Sequence, residues 1–186
     1  MRASALFLFF GTGFDDIAIG APMLESSKSA GTAYVIFGSS KLPSALQVSS
    51  LTGPNGFSFT GVVNGDQAGF AVGKDFIDFN ADGYADVVVS ANQRSHLAIS
   101  PSQVRTGSTY VIFGRCDDAR IPAKITSSYL NGYFGLEIIG KTPGEQSGYA
   151  LASAGDLTGA GSTSILIGSP YYGAAMNGAA YVVSGC

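Results

Sequence analysis

The sequence predicts an all-β fold built from a repeated unit. Of its 186 residues, 26 are glycine and only 12% are charged, and short apolar runs alternate with turn residues. This alternation is typical of antiparallel strands, and the chain is long enough to bury a core of its own. The net charge of −3 argues against a nucleic-acid-binding surface, and no apolar run is long enough to cross a membrane as a helix.

The N-terminal stretch Met1–Phe10 has one positive charge followed by a short apolar run. A secretion signal needs a longer apolar region and a small-residue cleavage site. We therefore expect a strand here, with a signal remnant, a truncated start or a miscalled start as the alternatives.

Self-similarity is the strongest feature of the chain. The segment Gly31–Gly38 (GTAYVIFG) recurs as Gly107–Gly114 (GSTYVIFG) and more loosely as Gly178–Gly185 (GAAYVVSG). Two further elements recur in the same order. They are DIAIGAP at Asp16–Pro22 with DVVVSAN at Asp86–Asn92 and SILIGSP at Ser164–Pro170, and GVVNGDQAG at Gly61–Gly69 with GKTPGEQSG at Gly140–Gly148.

Each unit is predicted to contain four short antiparallel strands. The first strand comes before a polar loop, and the second comes directly after it. Such units, linked by Gly-rich turns, are typical of β-propeller blades. The predicted strands before the loop are Gly69–Gly73 and Tyr149–Ala154, those after it are Ile17–Gly20, Val87–Ser90 and Ile165–Gly168, the third are of the Tyr-Val-Ile-Phe type, and the fourth are Phe57–Thr60 and Leu136–Ile139.

The predicted division of the chain is a first blade at 1–61, a second blade with the polar loop at 62–140, and an incomplete third blade at 141–186. Propellers usually have about four to eight blades. About two and a half to three blades would make an open arc or a fragment of a longer propeller. The strand edges of an open arc invite pairing with a protein partner or another copy of the chain.

The loop Asp78–Asp86 has the oxygen spacing of a cation site, with oxygen-bearing side chains at positions 1, 3, 5 and 9. Gly83 allows a sharp turn. The beginning matches an EF-hand loop, but Val89 occupies the place of the EF-hand's bidentate glutamate and lies in a strand-favouring run. The loop is therefore predicted to bind Ca²⁺, with a plain Asx-rich turn as the alternative. The predicted ligands are Asp78, Asn80, Asp82, Asp86 and the carbonyl of Tyr84.

The corresponding loops of the other two units are predicted not to bind metal. The third loop keeps Asp156 but has Ala160 and Ser164 at positions 5 and 9, and the first loop has only Asp16 at its end. Losing two carboxylates removes most affinity for Ca²⁺. For Asp16 and Asp156 we expect turn and strand-end hydrogen bonds instead.

The order of a cation loop, an apolar strand ending in Gly20-Ala21-Pro22 and a Tyr-Val-Ile-Phe-Gly strand resembles the FG-GAP repeat family. This is the β-propeller repeat of integrin α-subunit head domains and of many bacterial secreted or surface proteins. The resemblance runs from about Gly11 to Gly185, although Ala68-Gly69 and Ser147-Gly148 replace the family's Phe-Gly and Ser90-Ala91-Asn92 replaces Gly-Ala-Pro. It implies a non-catalytic, Ca²⁺-binding module for adhesion, ligand binding or protein–protein scaffolding, located outside the cell or at its surface.

Two other function classes stay open at this stage. The chain can be an accessory subunit whose open blade edges pair with neighbours in a larger assembly. It can also be the propeller portion of a secreted enzyme that acts on glycans or lipids. No nucleophile elbow or zinc-site motif supports an enzyme, but two separated carboxylates suffice for a glycosidase.

The segment Gln93–Thr106 is longer than its counterparts in the other units, and it contains the candidate partner-contact residues Arg94, His96 and Arg105. Long loops on a rigid scaffold often hold binding residues, and a tolerated surface insertion is the alternative. Cys116 and Cys186 occupy similar places in two units. Whether they form a disulfide depends on the distance between their Cα atoms, which the sequence does not give.

Overall fold

The computed structural model describes residues 2–7 (main chain only), 13–22, 28–96, 105–115 and 121–185. The described residues form three mostly antiparallel sheets, and none of their helical segments has the length and apolar character needed to span a membrane. The strands are β1 (Arg2–Phe7), β2 (Asp16–Ala21), β3 (Thr32–Ile36), β4 (Gly56–Thr60), β5 (Ala68–Val72), β6 (Val87–Ala91), β7 (Ser108–Ile112), β8 (Lys124–Ile125), β9 (Gly135–Ile139), β10 (Ala150–Gly155), β11 (Ser164–Ser169) and β12 (Ala179–Val183).

The strands follow chain order within each sheet. Sheet I has the order β1-β2-β3-β4-β8, sheet II has β5-β6-β7-β9 and sheet III has β10-β11-β12. The all-β class is therefore confirmed, and residues 2–7 form a strand, as expected, which pairs antiparallel with β2. Both cysteines lie outside the described residues.

The strand β8 is a feature that the sequence did not predict. It consists of Lys124–Ile125 only, and it pairs parallel to β4 with Ser58 opposite Lys124 and Phe59 opposite Ile125. Because this segment lies between β7 and β9 in the chain, it ties sheet II to the edge of sheet I. Sheet I thus has a fifth strand in place of the predicted four, and Ile125 is buried beneath it.

The side chains of β6 alternate between two apolar cores, and this alternation explains how the sheets stack. Val87 and Val89 are buried in the apolar core shared with sheet I. Val88, on the opposite face of the same strand, is buried in a second core shared with sheet III. Since successive side chains of a strand point to opposite faces, one continuous apolar run supplies both cores, and sheet II lies between its two neighbours.

The recurring turns Gly61–Gly69 and Gly140–Gly148 join consecutive sheets. In the first, the N–H of Ala68 donates to the carbonyl of Ala30 at 2.9 Å, and in the second, the N–H of Ser147 donates to the carbonyl of Thr106, also at 2.9 Å. Both acceptors lie just before the third strand of the preceding sheet. The repeated motif is therefore a joint between sheets as well as a connection along the chain.

Candidate metal centre

The loop Asp78–Asp86 connects β5 to β6 and is anchored at both ends. Asp78 and Asp86 are buried, with 7% and 3% of their surface exposed. Asn80 and Tyr84 are half-buried, and Asp82 is exposed at the tip. The register of β5 and β6 shifts between Ala68 and Val72 before the loop. All five predicted ligands therefore lie in one short turn.

Asp78 shapes the loop through its carboxylate. Its Oδ1 accepts the N–H of Asp82 at 3.0 Å, and its Oδ2 accepts the N–H of Gly83 at 2.8 Å. Ala81 and Gly83 have φ angles of 57° and 87°, a left-handed conformation that costs glycine nothing and other residues more. The side chain of Asp78 thus closes the turn from its first position.

Asp82 and Asn80 form a second set of contacts at the exposed tip. Oδ1 of Asp82 accepts the N–H of Tyr84 at 2.9 Å, and its Oδ2 accepts Nδ2 of Asn80 at the same distance. Oδ1 of Asn80 faces the N–H of Asp82 at 3.4 Å. These contacts link Asn80, Asp82 and Tyr84 to one another at the tip of the loop.

Asp86 connects the loop to the neighbouring strand. Its Oδ2 accepts the N–H of Phe79 at 2.7 Å, and its Oδ1 accepts the N–H of Gly114, beyond the end of β7, at 2.9 Å. Burial raises the pKa of Asp86 to about 7, aided by the nearby carboxylates of Asp82 and Asp78 and opposed by the two N–H donors. A cation among these three carboxylates would favour their ionised forms.

The first unit uses its loop-end aspartate in the same way. Oδ1 of Asp16 accepts the N–H of Gly38, beyond the end of β3, at 2.8 Å, and Asp16 is fully buried. In the third unit Ser164 occupies this position, and its hydroxyl contacts that of Ser184 at 3.4 Å. The predicted strand-end role of Asp16 is confirmed.

The third loop repeats the backbone of the second. The N–H groups of Ala160 and Gly161 donate to Oδ1 and Oδ2 of Asp156 at 3.2 and 2.9 Å, as Asp82 and Gly83 do to Asp78. These bonds, with that from Gly161 the most effective, hold the pKa of Asp156 below its usual value. The turn role predicted for Asp156 is confirmed, and the loop folds without carboxylates at its fifth and ninth positions.

The donor set of the second loop fits a hard divalent cation. It offers carboxylate, amide and carbonyl oxygens, which Ca²⁺ prefers in proteins. In the described part of the chain, no group of three or more His, Cys, Asp or Glu side chains is arranged to hold a metal ion. The loop oxygens accept backbone N–H groups instead, and the five Ca²⁺ ligands remain a prediction.

The candidate partner-contact residues are largely engaged within the chain. Arg94 lies 3.6 Å from Oδ2 of Asp66, and its side chain is 16% exposed. Nε2 of His96 lies 2.7 Å from Oγ of Ser108 and 3.2 Å from Oε1 of Glu137. Arg105 is half-buried, and residues 97–104 lie outside the described residues. Arg94 thus holds the start of the long loop against the Gly61–Gly69 turn, and His96 holds it against sheet II.

Two buried acids in the joints between sheets were not singled out from the sequence. Oδ2 of Asp66 accepts the N–H groups of Val62 and Val63 at 2.9 and 2.8 Å. Glu145 is fully buried, and it accepts the N–H of Lys141 at 2.7 Å and the hydroxyl of Tyr181 at 2.9 Å. Burial and this bond raise the pKa of Tyr181 to about 12. An acidic residue followed by Gln recurs in the turns Gly61–Gly69 and Gly140–Gly148. This recurrence was the sequence signal that could have indicated the two acids.

A separate apolar groove of about 980 Å³ lies away from the loop, between Phe37, Leu42 and Ile121. No Asp or Glu is among the described residues that line it. A glycosidase needs two carboxylates facing each other across a cleft, and this groove does not supply them from the described part of the chain.

Comparison with known proteins adds no family assignment. The chain matches no model of a known protein family, and the search of curated proteins likewise gave no match. The resemblance to FG-GAP repeats therefore depends on the residues themselves and stays a prediction.

Proposed function

We propose that the chain is a non-catalytic, Ca²⁺-binding repeat module of the FG-GAP type, with sheets that act as propeller blades in adhesion or protein–protein scaffolding. One observation carries the proposal. The loops headed by Asp78 and Asp156 share a backbone hydrogen-bond pattern, but only the former has Asp82 and Asp86. The turn does not need those carboxylates, and their presence favours a cation site.

Bound Ca²⁺ would supply positive charge between carboxylates that otherwise repel one another. The residues that would hold it are Asp78, Asn80, Asp82 and Asp86 through side-chain oxygens and Tyr84 through its carbonyl. Asp78 and Asp86 fix the two ends of the loop through backbone N–H groups, as described above. Extracellular modules bind Ca²⁺ with dissociation constants of about 0.1–1 mM, and a loop of this affinity would be occupied outside the cell or at its surface.

The stacking of the sheets supports a blade-like role. Each sheet runs in chain order, and the middle sheet is buried on both faces. The acid-Gln turns join each sheet to the next by equivalent backbone bonds. A unit that packs face to face with its neighbours suits a scaffold that presents loops to a partner.

Isothermal titration calorimetry on metal-free protein tests the proposed cation site. The wild type should bind one Ca²⁺ per chain, and Asp82→Ala should abolish or greatly weaken binding because it removes a carboxylate ligand at the exposed tip. Asp15→Ala is the matched control, since it removes one exposed acid outside the loop. Binding that is absent in the wild type, or unchanged in Asp82→Ala, would overturn the proposal.

A gain-of-function variant makes the comparison of the loops direct. Ala160→Asp combined with Ser164→Asp gives the third loop the carboxylates of the second on a backbone that already has the same hydrogen bonds. The stoichiometry should rise from one to two Ca²⁺ per chain. A stoichiometry that stays at one would show that the spacing of oxygens does not define the site.

A further inference from the structure

Each sheet presents one face to the sheet that follows it in the chain. Equivalent residues of the second and third strands form this face, and in sheets I and II they are buried in the cores shared with the next sheet. In sheet III the same positions are open, with Leu166 37% and Val182 53% exposed. The equivalent sets are Ala18 and Val35 in sheet I, Val88 and Val111 in sheet II, and Leu166 and Val182 in sheet III.

The open positions of sheet III form a continuous row across its strands. Ala152 of β10 lies opposite Leu166 of β11, which in turn lies opposite Val182 of β12. None of the residues of β10, β11 and β12 is charged. We call this row, together with Ala180, the trailing face. Exposed apolar sheet surfaces without charged residues favour association with another chain.

Sheet I presents the complementary surface. In sheets II and III, the residues that pack against the preceding sheet are buried, as Ile165 and Ile167 are at 0% and 1% exposed. Their equivalents in sheet I are Ile17 and Ile19, which are half-buried. We call this surface, with Tyr34, the leading face. It repeats the side-chain types that sheet III uses to pack on sheet II.

A groove lies at the end of sheet III that corresponds to the place where sheet I contacts the next sheet. In sheet I, a Cβ on Gly20 would collide with the carbonyl oxygen of Gly69, at the start of the next sheet. The equivalent Gly168 meets only atoms of Ala150, at 3.5 Å and beyond. A groove of about 460 Å³ lies there, lined by Gly168, Pro170 and Ala180 among others. The space beside Gly168 in sheet III is thus open, whereas the equivalent space beside Gly20 in sheet I is filled by the start of sheet II.

We propose that the trailing face docks on the leading face of a second copy of this chain. The interface would continue the packing that already joins sheets I to II and II to III, and the inference rests on the proposed function as a stacking repeat module. A head-to-tail contact uses different surfaces on the two partners, so it closes a ring or extends a filament. In this contact one copy uses its trailing face and the other uses its leading face.

Sedimentation velocity on the full chain, with paired variants, tests the proposal. The wild type should associate with increasing concentration into multiples of 19.0 kDa. Val182→Asp on the trailing face and Ile19→Asp on the leading face should each be monomeric, because each places a charge in the contact. Val62→Asp, at a turn residue that is 44% exposed, is the matched control and should associate like the wild type.

Mixing the two monomeric variants gives the sharpest result. Each retains one intact face, so the mixture should form a dimer that does not grow further. Association of Ile19→Asp alone would indicate a symmetric contact between trailing faces and would overturn the proposal, as would a wild type that stays monomeric at high concentration.

Two further measurements keep the result interpretable. Circular dichroism and thermal unfolding of each variant establish that it is folded. If Ile19→Asp does not fold, Leu166→Asp on the trailing face and Tyr34→Asp on the leading face serve as a second pair. Ca²⁺ titration of the same samples separates the two proposals. A monomeric wild type that binds Ca²⁺ would overturn only the docking, whereas association without Ca²⁺ binding would overturn only the cation site.

Discussion

The joint between sheets II and III can be weakened at Glu145. This buried carboxylate accepts three hydrogen bonds, from the N–H of Lys141 at 2.7 Å, the hydroxyl of Thr142 at 2.7 Å and the hydroxyl of Tyr181 at 2.9 Å. A hydrogen bond contributes about 1 kcal/mol net, so Glu145→Ala should lower the free energy of unfolding by about 3 kcal/mol. For a chain of this size the melting temperature should fall by roughly 6–12 °C.

Urea unfolding followed by circular dichroism measures this loss. Glu145→Gln should lose less, about 1–2 kcal/mol, because one oxygen remains to accept the N–H of Lys141. Lys141→Ala is the control in the same turn, since its side chain is exposed and its backbone N–H is retained. If Glu145→Ala stays within about 0.5 kcal/mol of the wild type, the range usual for surface substitutions, the carboxylate of Glu145 does not stabilise this turn.

Two further predictions concern the core and a buried acid. Ile167→Ala should cost about 2–5 kcal/mol because Ile167 is buried between sheets II and III, whereas the neighbouring Leu166→Ala should cost about 1 kcal/mol or less when measured at low concentration. Equal losses at these adjacent residues would contradict the assigned faces. Burial raises the pKa of Asp66 above its usual value, so folding favours its protonated form and its contribution to stability falls as the pH rises above about 4. The free energy of unfolding of the wild type should thus fall relative to that of Asp66→Asn as the pH is raised from acid to neutral. If the wild-type value minus the Asp66→Asn value stays constant or increases with pH, the raised pKa of Asp66 is wrong.

Local pattern was enough to predict most of the strands, but not β8. Repeated segments such as Gly107–Gly114 combine β-branched and aromatic residues with flanking glycine, a signal that lies within a few residues. The loop-end role of Asp16 and the turn role of Asp156 were also predictable, because short acidic side chains readily accept nearby backbone N–H groups.

Contacts between distant parts of the chain could not be predicted in the same way. The strand Lys124–Ile125 is too short for any periodicity, and its pairing with β4 depends on how sheet II is placed against sheet I. Arg94 and His96 look like exposed polar residues in a loop, but they contact Asp66 and Glu137, which lie far away in the sequence within the same second unit. Glu145 likewise accepts a hydrogen bond from Tyr181 of β12, which lies 36 residues further along the chain.

The proposed cation site is tested most directly by thermal unfolding with Ca²⁺ and with EGTA, for the wild type and for Asp82→Ala. At about 100 times the dissociation constant, Ca²⁺ should stabilise the wild type by roughly 2.7 kcal/mol, which raises its melting temperature by about 5–10 °C. Asp82→Ala should melt at the same temperature in Ca²⁺ and in EGTA. A wild type whose melting temperature does not respond to Ca²⁺ would show that Asp78–Asp86 is a turn that Ca²⁺ does not stabilise.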